Sequence, residues 1–266
     1  MNRIERRFLE LRRRKKKALI VFMTAGDPSL AQNERLALAF EKEGVDLIEL
    51  GVPFSDPLAD GPVIQQSSQR SLRRGTTLAR VLALVKKIRK KSQIPLLLMS
   101  YLNPVLKYGV GRFAREARRS GVDGLIVPDL PPEEGRELSL AMKKNGLDLV
   151  YLLAPTSGEK RKALVSRASR GFVYYVSLTG VTGLRKSLPA AAQRNIRLIK
   201  RKTKLPVCVG FGVSTPGQAR TMAKVSDGVI IGSAVVRALS LHPALSAAQF
   251  SRKFIRPFAA ALGKRP

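Results

Sequence analysis

One cysteine (Cys208), one histidine (His242) and no tryptophan occur among the 266 residues. A single cysteine excludes an intramolecular disulfide framework, and one cysteine with one histidine excludes a Cys/His zinc site. A Ser-His-Asp or Cys-His mechanism would have to run through His242, which lies in a Leu-His-Pro turn near the C-terminus and is a poor choice for a catalytic base. If the chain is an enzyme, its acid–base groups are expected to be carboxylates. These are scarce as well: 19 Asp and Glu stand against 49 Lys and Arg, a formal charge of +30. Long hydrophobic runs are missing, and none approaches the roughly 18 residues a membrane span requires. Arg12 to Lys17 followed by Ala18 to Met23 imitates the start of a signal peptide. That apolar run stops after six residues at Thr24-Ala-Gly-Asp-Pro28, and it is needed as the first of a series of strands. The expectation is a soluble, cytoplasmic protein.

The excess charge invites a nucleic-acid reading. The basic residues, however, are spread along the chain on helix faces expected to be exposed. The main cluster is Met1 to Lys17, with nine Lys and Arg and two Glu, and no aromatic side chains interleave with the basic runs as stacking platforms would. Solvated helix faces with some non-specific affinity for polyanions account for this pattern better.

Eight short apolar runs recur, each followed by a helical stretch: Ala18–Met23, Leu47–Val52, Pro95–Tyr101, Gly124–Val127, Leu147–Leu153, Phe172–Ser177, Pro206–Phe211 and Gly228–Gly232. They are continuously apolar, as parallel strands covered on both faces must be. Helical stripes lie between them. Thr77 precedes Leu78, Val81, Leu82, Val85 and Ile88, and Ser214-Thr-Pro216 supplies a cap followed by a proline suited to the first helical position. A weak echo, Gly44-Val-Asp46, Gly121-Val-Asp123 and Gly146-Leu-Asp148, marks where a helix ends and a strand begins. Eight such units predict a single (β/α)8 TIM-barrel domain over residues 1–266, with Arg3 to Arg14 as an extra N-terminal helix, amphipathic through Ile4, Phe8 and Leu11. A doubly wound open sheet would want Gly-x-Gly-x-x-Gly after the first strand, where this chain has Thr-Ala-Gly-Asp-Pro.

The connections Pro53–Gly75 and Leu178–Leu188 exceed simple turns and lie on the C-terminal face of the barrel, where active sites of this fold are built. Glu49 sits inside the second strand, a costly place for a carboxylate, where burial raises its pKa and suits it to general acid–base work. Asp56 and Asp60 follow in the next loop. Asp56 reads equally well as turn punctuation. Asp60 stands opposite Glu49, and the pair can divide acid and base roles. Three glycine-bearing strand ends, Thr179-Gly-Val-Thr-Gly183, Gly210-Phe-Gly212 and Gly232-Ser-Ala234, converge on the position where barrels bind phosphate with backbone N–H groups and a helix N-terminus. No lysine ends a predicted strand, which argues against a Schiff-base aldolase, and no carboxylate–imidazole cluster offers a metal site.

These residues resemble the tryptophan synthase alpha subunit family over essentially the full chain. The motifs are Phe22-Met-Thr-Ala-Gly-Asp-Pro28, Glu49-Leu-Gly-Val-Pro-Phe-Ser-Asp-Pro-Leu-Ala-Asp-Gly-Pro62, Val127-Pro-Asp-Leu-Pro131, Thr179–Gly183, Gly210-Phe-Gly212 and Gly232-Ser-Ala234. The resemblance implies retro-aldol cleavage of indole-3-glycerol phosphate to indole and glyceraldehyde 3-phosphate in tryptophan biosynthesis, without a cofactor in this chain. It implies Glu49 as the general acid–base and Asp60 as the carboxylate facing the indole N–H. Thr182 would belong to a closing loop, Tyr174 would lie near the substrate, and Phe22, Met99, Ile126 and Phe211 would line the indole pocket. Gly183, Phe211, Gly212, Gly232 and Ser233 would hold the phosphate. An alpha-beta-beta-alpha complex with a pyridoxal-phosphate beta subunit is implied too, with Pro53, Asp56 and Asn103 facing that partner. The alternatives are a catalytically silent barrel that activates a beta subunit, a polyanion-binding barrel, or another phosphate-binding isomerase or aldolase on the same fold. The +30 charge departs from the family pattern, and no motif position explains it.

Overall fold

The computed structural model describes residues 1–176, 190–210 and 212–264. Among the described residues, nine strand segments, all paired in parallel, make one sheet. They are β1 (Ala18–Thr24), β2 (Leu47–Gly51), β3 (Leu96–Met99), β4 (Gly124–Ile126), β5 (Asp148–Val150), β6 (Leu152–Leu153), β7 (Val173–Val176), β8 (Val207–Gly210) and β9 (Gly228–Ile231). The order β5-β4-β3-β2-β1-β9-β8-β7-β6 runs full circle, because β5 and β6 are halves of one stave separated at Tyr151. The expected Leu147–Leu153 strand is thus present but broken in the middle. Eight staves with helices between them make the (β/α)8 barrel.

Side chains alternate along each stave between two buried environments. In β1, Leu19, Val21 and Met23 face the helices, whereas Ala18, Ile20 and Phe22 belong to a second cluster inside the barrel with Leu47, Leu97, Ile126, Val150 and Ile230. Both faces are dry, and this is why the strands read as unbroken apolar runs.

The N-terminal helix Arg3–Arg13 closes the bottom of the barrel. Asn2 caps it by accepting the Glu5 N–H at 3.0 Å. Ile4, Phe8 and Leu11 project one stripe into the inner cluster, with the Phe8 ring 5.9 Å from that of Phe172. Burying three such side chains contributes roughly 1.5–3 kcal/mol each. The helix is also latched to carboxylates that immediately precede strands or open them: Arg3 pairs with Asp123 at 2.9 Å, Arg7 with Asp46 at 2.7 Å, and Asn2 donates to Asp148 at 2.5 Å. Asp46, Asp123 and Asp227 each accept a backbone N–H from the adjoining stave, those of Leu19, Leu96 and Val207. Two of the echoed aspartates, Asp46 and Asp123, together with Asp227, therefore tie neighbouring staves together at the N-terminal rim. Among the described residues no helix is long and apolar enough to cross a membrane.

The long connection after β2 is not loop throughout, since Pro62–Arg73 is a helix opened by Gly61 and an N1 proline. Its inward face is serine, which permits close approach to the loop after β1. Ser71 donates to the Ala25 carbonyl at 2.5 Å, and Ser67 to Asp27 at 2.6 Å. Arg70 grips the same Asp27 carboxylate with two hydrogen bonds, and Arg74 adds a third guanidinium contact at 3.2 Å. Burial opposes ionisation of Asp27, but the Arg70 and Ser67 hydrogen bonds outweigh it and hold its pKa below the usual range.

Candidate active site

Glu49 lies in β2 between Phe22 of β1 and Leu97 of β3, in register with both. Its side chain is 0% exposed, and neither carboxylate oxygen has a hydrogen-bond partner among the described residues. An ionised carboxylate there would be cut off from solvent with no donor among the described residues, so desolvation pushes its pKa up to about 8 and it carries its proton at neutral pH. Nothing in the packing requires a carboxyl group at this point. A buried polar group kept at such a cost, without a structural partner, marks a functional position.

Asp60 is held differently. The Tyr101 hydroxyl accepts the Ala59 N–H at 2.9 Å and favours ionisation of Asp60, whose Oδ1 is buried without a hydrogen-bond partner among the described residues, and the Tyr101 ring lies 5.3 Å from that of Phe54. Gln65, in the helix that follows, donates to the Asp60 carbonyl at 2.8 Å. Burial raises the Asp60 pKa to about 6, with the Tyr101 hydrogen bond pulling the other way. The two carboxyl groups are therefore driven apart, with Glu49 protonated and Asp60 largely ionised at neutral pH. Such a split separates acid from base.

Tyr174 completes this end of the barrel. It is buried, and desolvation together with the negative charge of Glu49 and, less strongly, Cys208 and Asp60 raises its pKa well above that of a free phenol. Phe22, Met99, Ile126 and Tyr174 all belong to the inner apolar cluster, on which Val63, Ile64 and Val176 also pack. Two glycines make room for the aromatic rings. A Cβ at Gly51 would stand 2.5 Å from the Phe22 ring, and one at Gly210 would stand 2.4 Å from the Tyr174 hydroxyl. Both are positions where a neighbour's ring needs the space a side chain would take.

In the loops after β8 and β9, Gly212 has φ +78° and is exposed. Gly232 sits beside Phe22, whose Cβ lies 3.5 Å from where a Cβ on Gly232 would stand, and it opens the nine-residue helix Ser233–Leu241 without a side-chain cap or an acidic residue in the first turn. Ser233 is exposed. Backbone N–H groups at such a terminus suit an anion. Thr182, Gly183 and Phe211 lie outside the described residues. Of the three positions expected to face a partner, Asp56 and Asn103 are exposed, whereas Pro53 is buried. Among the described residues there is no group of three or more His, Cys, Asp and Glu side chains placed to hold a metal ion.

Three contributors do not stand out in the sequence. Tyr101, which positions the Asp60 loop, is visible there only as the end of a strand. Asp27 occurs in a motif with no role attached. Asp129, in the Val127–Pro131 motif, accepts the Leu102 N–H at 3.0 Å and so caps the helix Leu102–Tyr108. The arginines four residues apart, Arg70 and Arg74, with Ser67 on the same helical face, are the available signal for the Asp27 site.

A parallel eight-stave barrel with two buried carboxyl groups of different pKa and an uncapped helix N-terminus after β9 places the chain among the (β/α)8-barrel enzymes. The model of the tryptophan synthase alpha chain family matches residues 8–259, and the chain belongs to that family. It is 52% identical over 237 residues to the tryptophan synthase alpha chain of Geotalea daltonii, spanning 89% of this chain and 90% of that one. Its identity to the alpha chain of Geobacter sulfurreducens is 48% over 262 residues, 98% of each. The crystal structure of tryptophan synthase subunit alpha from Legionella pneumophila superposes with a TM-score of 0.92 at 36% identity, covering 99% of both chains.

Proposed function

We propose that this chain, as a single barrel domain, cleaves indole-3-glycerol phosphate to indole and glyceraldehyde 3-phosphate, the alpha reaction of tryptophan synthesis. The observation that carries the reading is Glu49, wholly buried, without a hydrogen-bond partner among the described residues and protonated at neutral pH. Retro-aldol cleavage needs a proton delivered to indole C3 and a proton removed from the glycerol hydroxyl next to the breaking carbon–carbon bond. Glu49 donates the first, and as the resulting carboxylate it takes the second, which returns it to its starting state. The electron pair of the broken bond returns to the indole ring, and the hydroxyl carbon leaves as an aldehyde. Positive charge grows on the indole nitrogen before the bond breaks. The ionised Asp60 carboxylate, held by Tyr101, is there to accept the indole N–H and stabilise that charge without having to reorganise.

Phe22, Met99 and Ile126 offer an apolar slot for a flat aromatic ring, with Tyr174 beside it. Gly212, Gly232 and Ser233, joined by Gly183 and Phe211, are the residues assigned to the phosphate, and Thr182 is assigned to the loop that closes over the substrate. The chemistry needs no cofactor in this chain. A beta chain carrying pyridoxal phosphate is the natural recipient of the indole, in an alpha-beta-beta-alpha complex in the cytoplasm. Asp56 and Asn103, exposed in the connections after β2 and β3, support that docking, whereas Pro53 is buried. The test is indole release from indole-3-glycerol phosphate by the purified chain, with and without a beta subunit. Slow release that the beta subunit accelerates is expected. No release in either condition would overturn the reading and leave a silent barrel.

A further inference from the structure

The end of the barrel remote from Glu49 carries a second concave site. Between the C-terminus of the helix Arg3–Arg13 and the loop entering β8 lies a cavity of about 430 Å³. Among the described residues, six cationic side chains line it (Arg12, Lys15, Lys16, Lys17, Lys200 and Lys204) against a single carboxylate, Asp227. That carboxylate is already engaged: Lys200 pairs with it at 2.7 Å, Lys17 lies at 3.8 Å, and it accepts the Val207 N–H at 3.0 Å. Lys16 donates to the Gly263 carbonyl at 2.8 Å. Arg12, Lys15 and Lys204 have no ion pair among the described residues, and all three are exposed at the rim. Leu11 and Pro206 supply part of an apolar floor.

Backbone conformation singles out one of these residues. Lys15, with φ +52°, is the one non-glycine residue in the left-handed region among the described residues. It occupies the turn that ends the helix, donating its N–H to the Arg12 carbonyl at 3.0 Å while the Lys16 N–H reaches Leu11 at 2.8 Å. Glycine or asparagine is the relaxed choice at such a helix end, and a lysine there costs about 1 kcal/mol. A cation kept at that cost on the rim of a cationic cavity points to an anion. The apolar floor and the surplus of unpaired cations fit several phosphates on one compact molecule better than a single phosphate.

We propose that this cavity binds a small, multiply phosphorylated anion, with Arg12, Lys15 and Lys204 as its principal contacts. Because the helix Arg3–Arg13 forms one wall, an occupant would fasten that helix to the barrel and raise the thermal midpoint.

The probe is inorganic tripolyphosphate, titrated calorimetrically into the full chain at an ionic strength of about 0.15 M, where diffuse surface attraction is screened beyond about 8 Å. Saturable binding of one anion per chain is expected, weakened at least about tenfold, or 1.4 kcal/mol, in the double variant Lys15→Glu/Lys204→Glu. The control Lys86→Glu/Lys87→Glu removes the same charge from the exposed side of the helix Leu78–Arg89 and is expected to change affinity less than about twofold. Lys15→Gly relieves the backbone strain, so it folds, and it too is expected to weaken binding. An ATP arm separates the sources: affinity equal to that of tripolyphosphate means that phosphates alone are recognised, and tighter binding means that the apolar floor takes the base. Either result supports the site. Absence of saturable binding overturns the proposal. So do equal losses in the two double variants, and uptake of a single-stranded oligonucleotide in proportion to its length while tripolyphosphate is ignored.

Discussion

Replacing Glu49 with glutamine should abolish the chemistry and, at the same time, stabilise the protein in a pH-dependent way. Folding lifts the Glu49 pKa from the ordinary 4.5 to about 8 through desolvation. The native state thus holds its proton more tightly than the unfolded chain does. The Glu49 contribution to stability is fully present below the unfolded value, falls as pH rises through the window between the two, and levels off above the folded value. A tenfold difference in proton affinity between the two states corresponds to about 1.4 kcal/mol. Relative to the fully protonated state, the burden is about 1 kcal/mol near pH 5 and about 4 kcal/mol near pH 8, these being ceilings. Glutamine has nearly the same shape and never ionises. Any cost of its unpartnered amide is the same at every pH and cancels when two pH values are compared. Urea unfolding of the wild type and Glu49→Gln near both pH values should therefore show the variant gaining about 3 kcal/mol between them. A stability difference that stays constant within about 0.5 kcal/mol would refute the reasoning, because Glu49 would then be ionised and solvated or paired.

Other consequences of the same geometry are testable. Asp60→Asn keeps the shape of the site but removes the charge meant for the indole nitrogen, so turnover in the indole-release assay should fall by about two to three orders of magnitude while substrate binding survives. Tyr101→Phe removes the hydroxyl that holds the Asp60 loop. The Asp60 pKa should rise above its present value of about 6, and the acid limb of the pH–rate profile should move up with it. Asp27→Asn leaves Arg70 and Arg74 without their shared carboxylate and should cost about 1–3 kcal/mol in urea unfolding. Phe8→Ala opens the plug beneath Phe172 and should cost about 3–5 kcal/mol, with hydrogen exchange accelerated first in the helix Arg3–Arg13.

The staves are legible in the sequence because burial on both faces leaves an unmistakable pattern, a run with no polar interruption. Glu49 is legible for the same reason inverted, as a charge inside such a run. The break at Tyr151 is not, since Leu147–Leu153 is largely apolar and the interruption arises where the Tyr151 N–H turns to the Ser169 hydroxyl, at 3.3 Å, instead of a neighbouring stave. The echoed Gly-x-Asp sequences speak through their glycines, yet the aspartates do more: each reaches a backbone N–H or a helix side chain far away in sequence. Tyr101 and Asp27 escape notice for a related reason. Their roles are set by partners 40–47 residues distant, such as Asp60 for Tyr101 and Ser67 and Arg74 for Asp27, and local periodicity carries no trace of such pairings. The basic N-terminus reads as a solvated face, whereas Arg3 and Arg7 are latch residues and Arg12 and Lys15 line a cavity.

The proposed reaction rests on a protonated Glu49 and an ionised Asp60 acting together on the carbon–carbon bond. It is tested most directly by kcat/KM for indole release from indole-3-glycerol phosphate as a function of pH. The predicted profile is a bell whose acid limb falls near the Asp60 value of about 6 and whose basic limb falls near the Glu49 value of about 8, because each limb reports a group in the free enzyme. A profile that climbs or stays flat through the basic limb would contradict these roles, since Glu49 would then not be the proton donor.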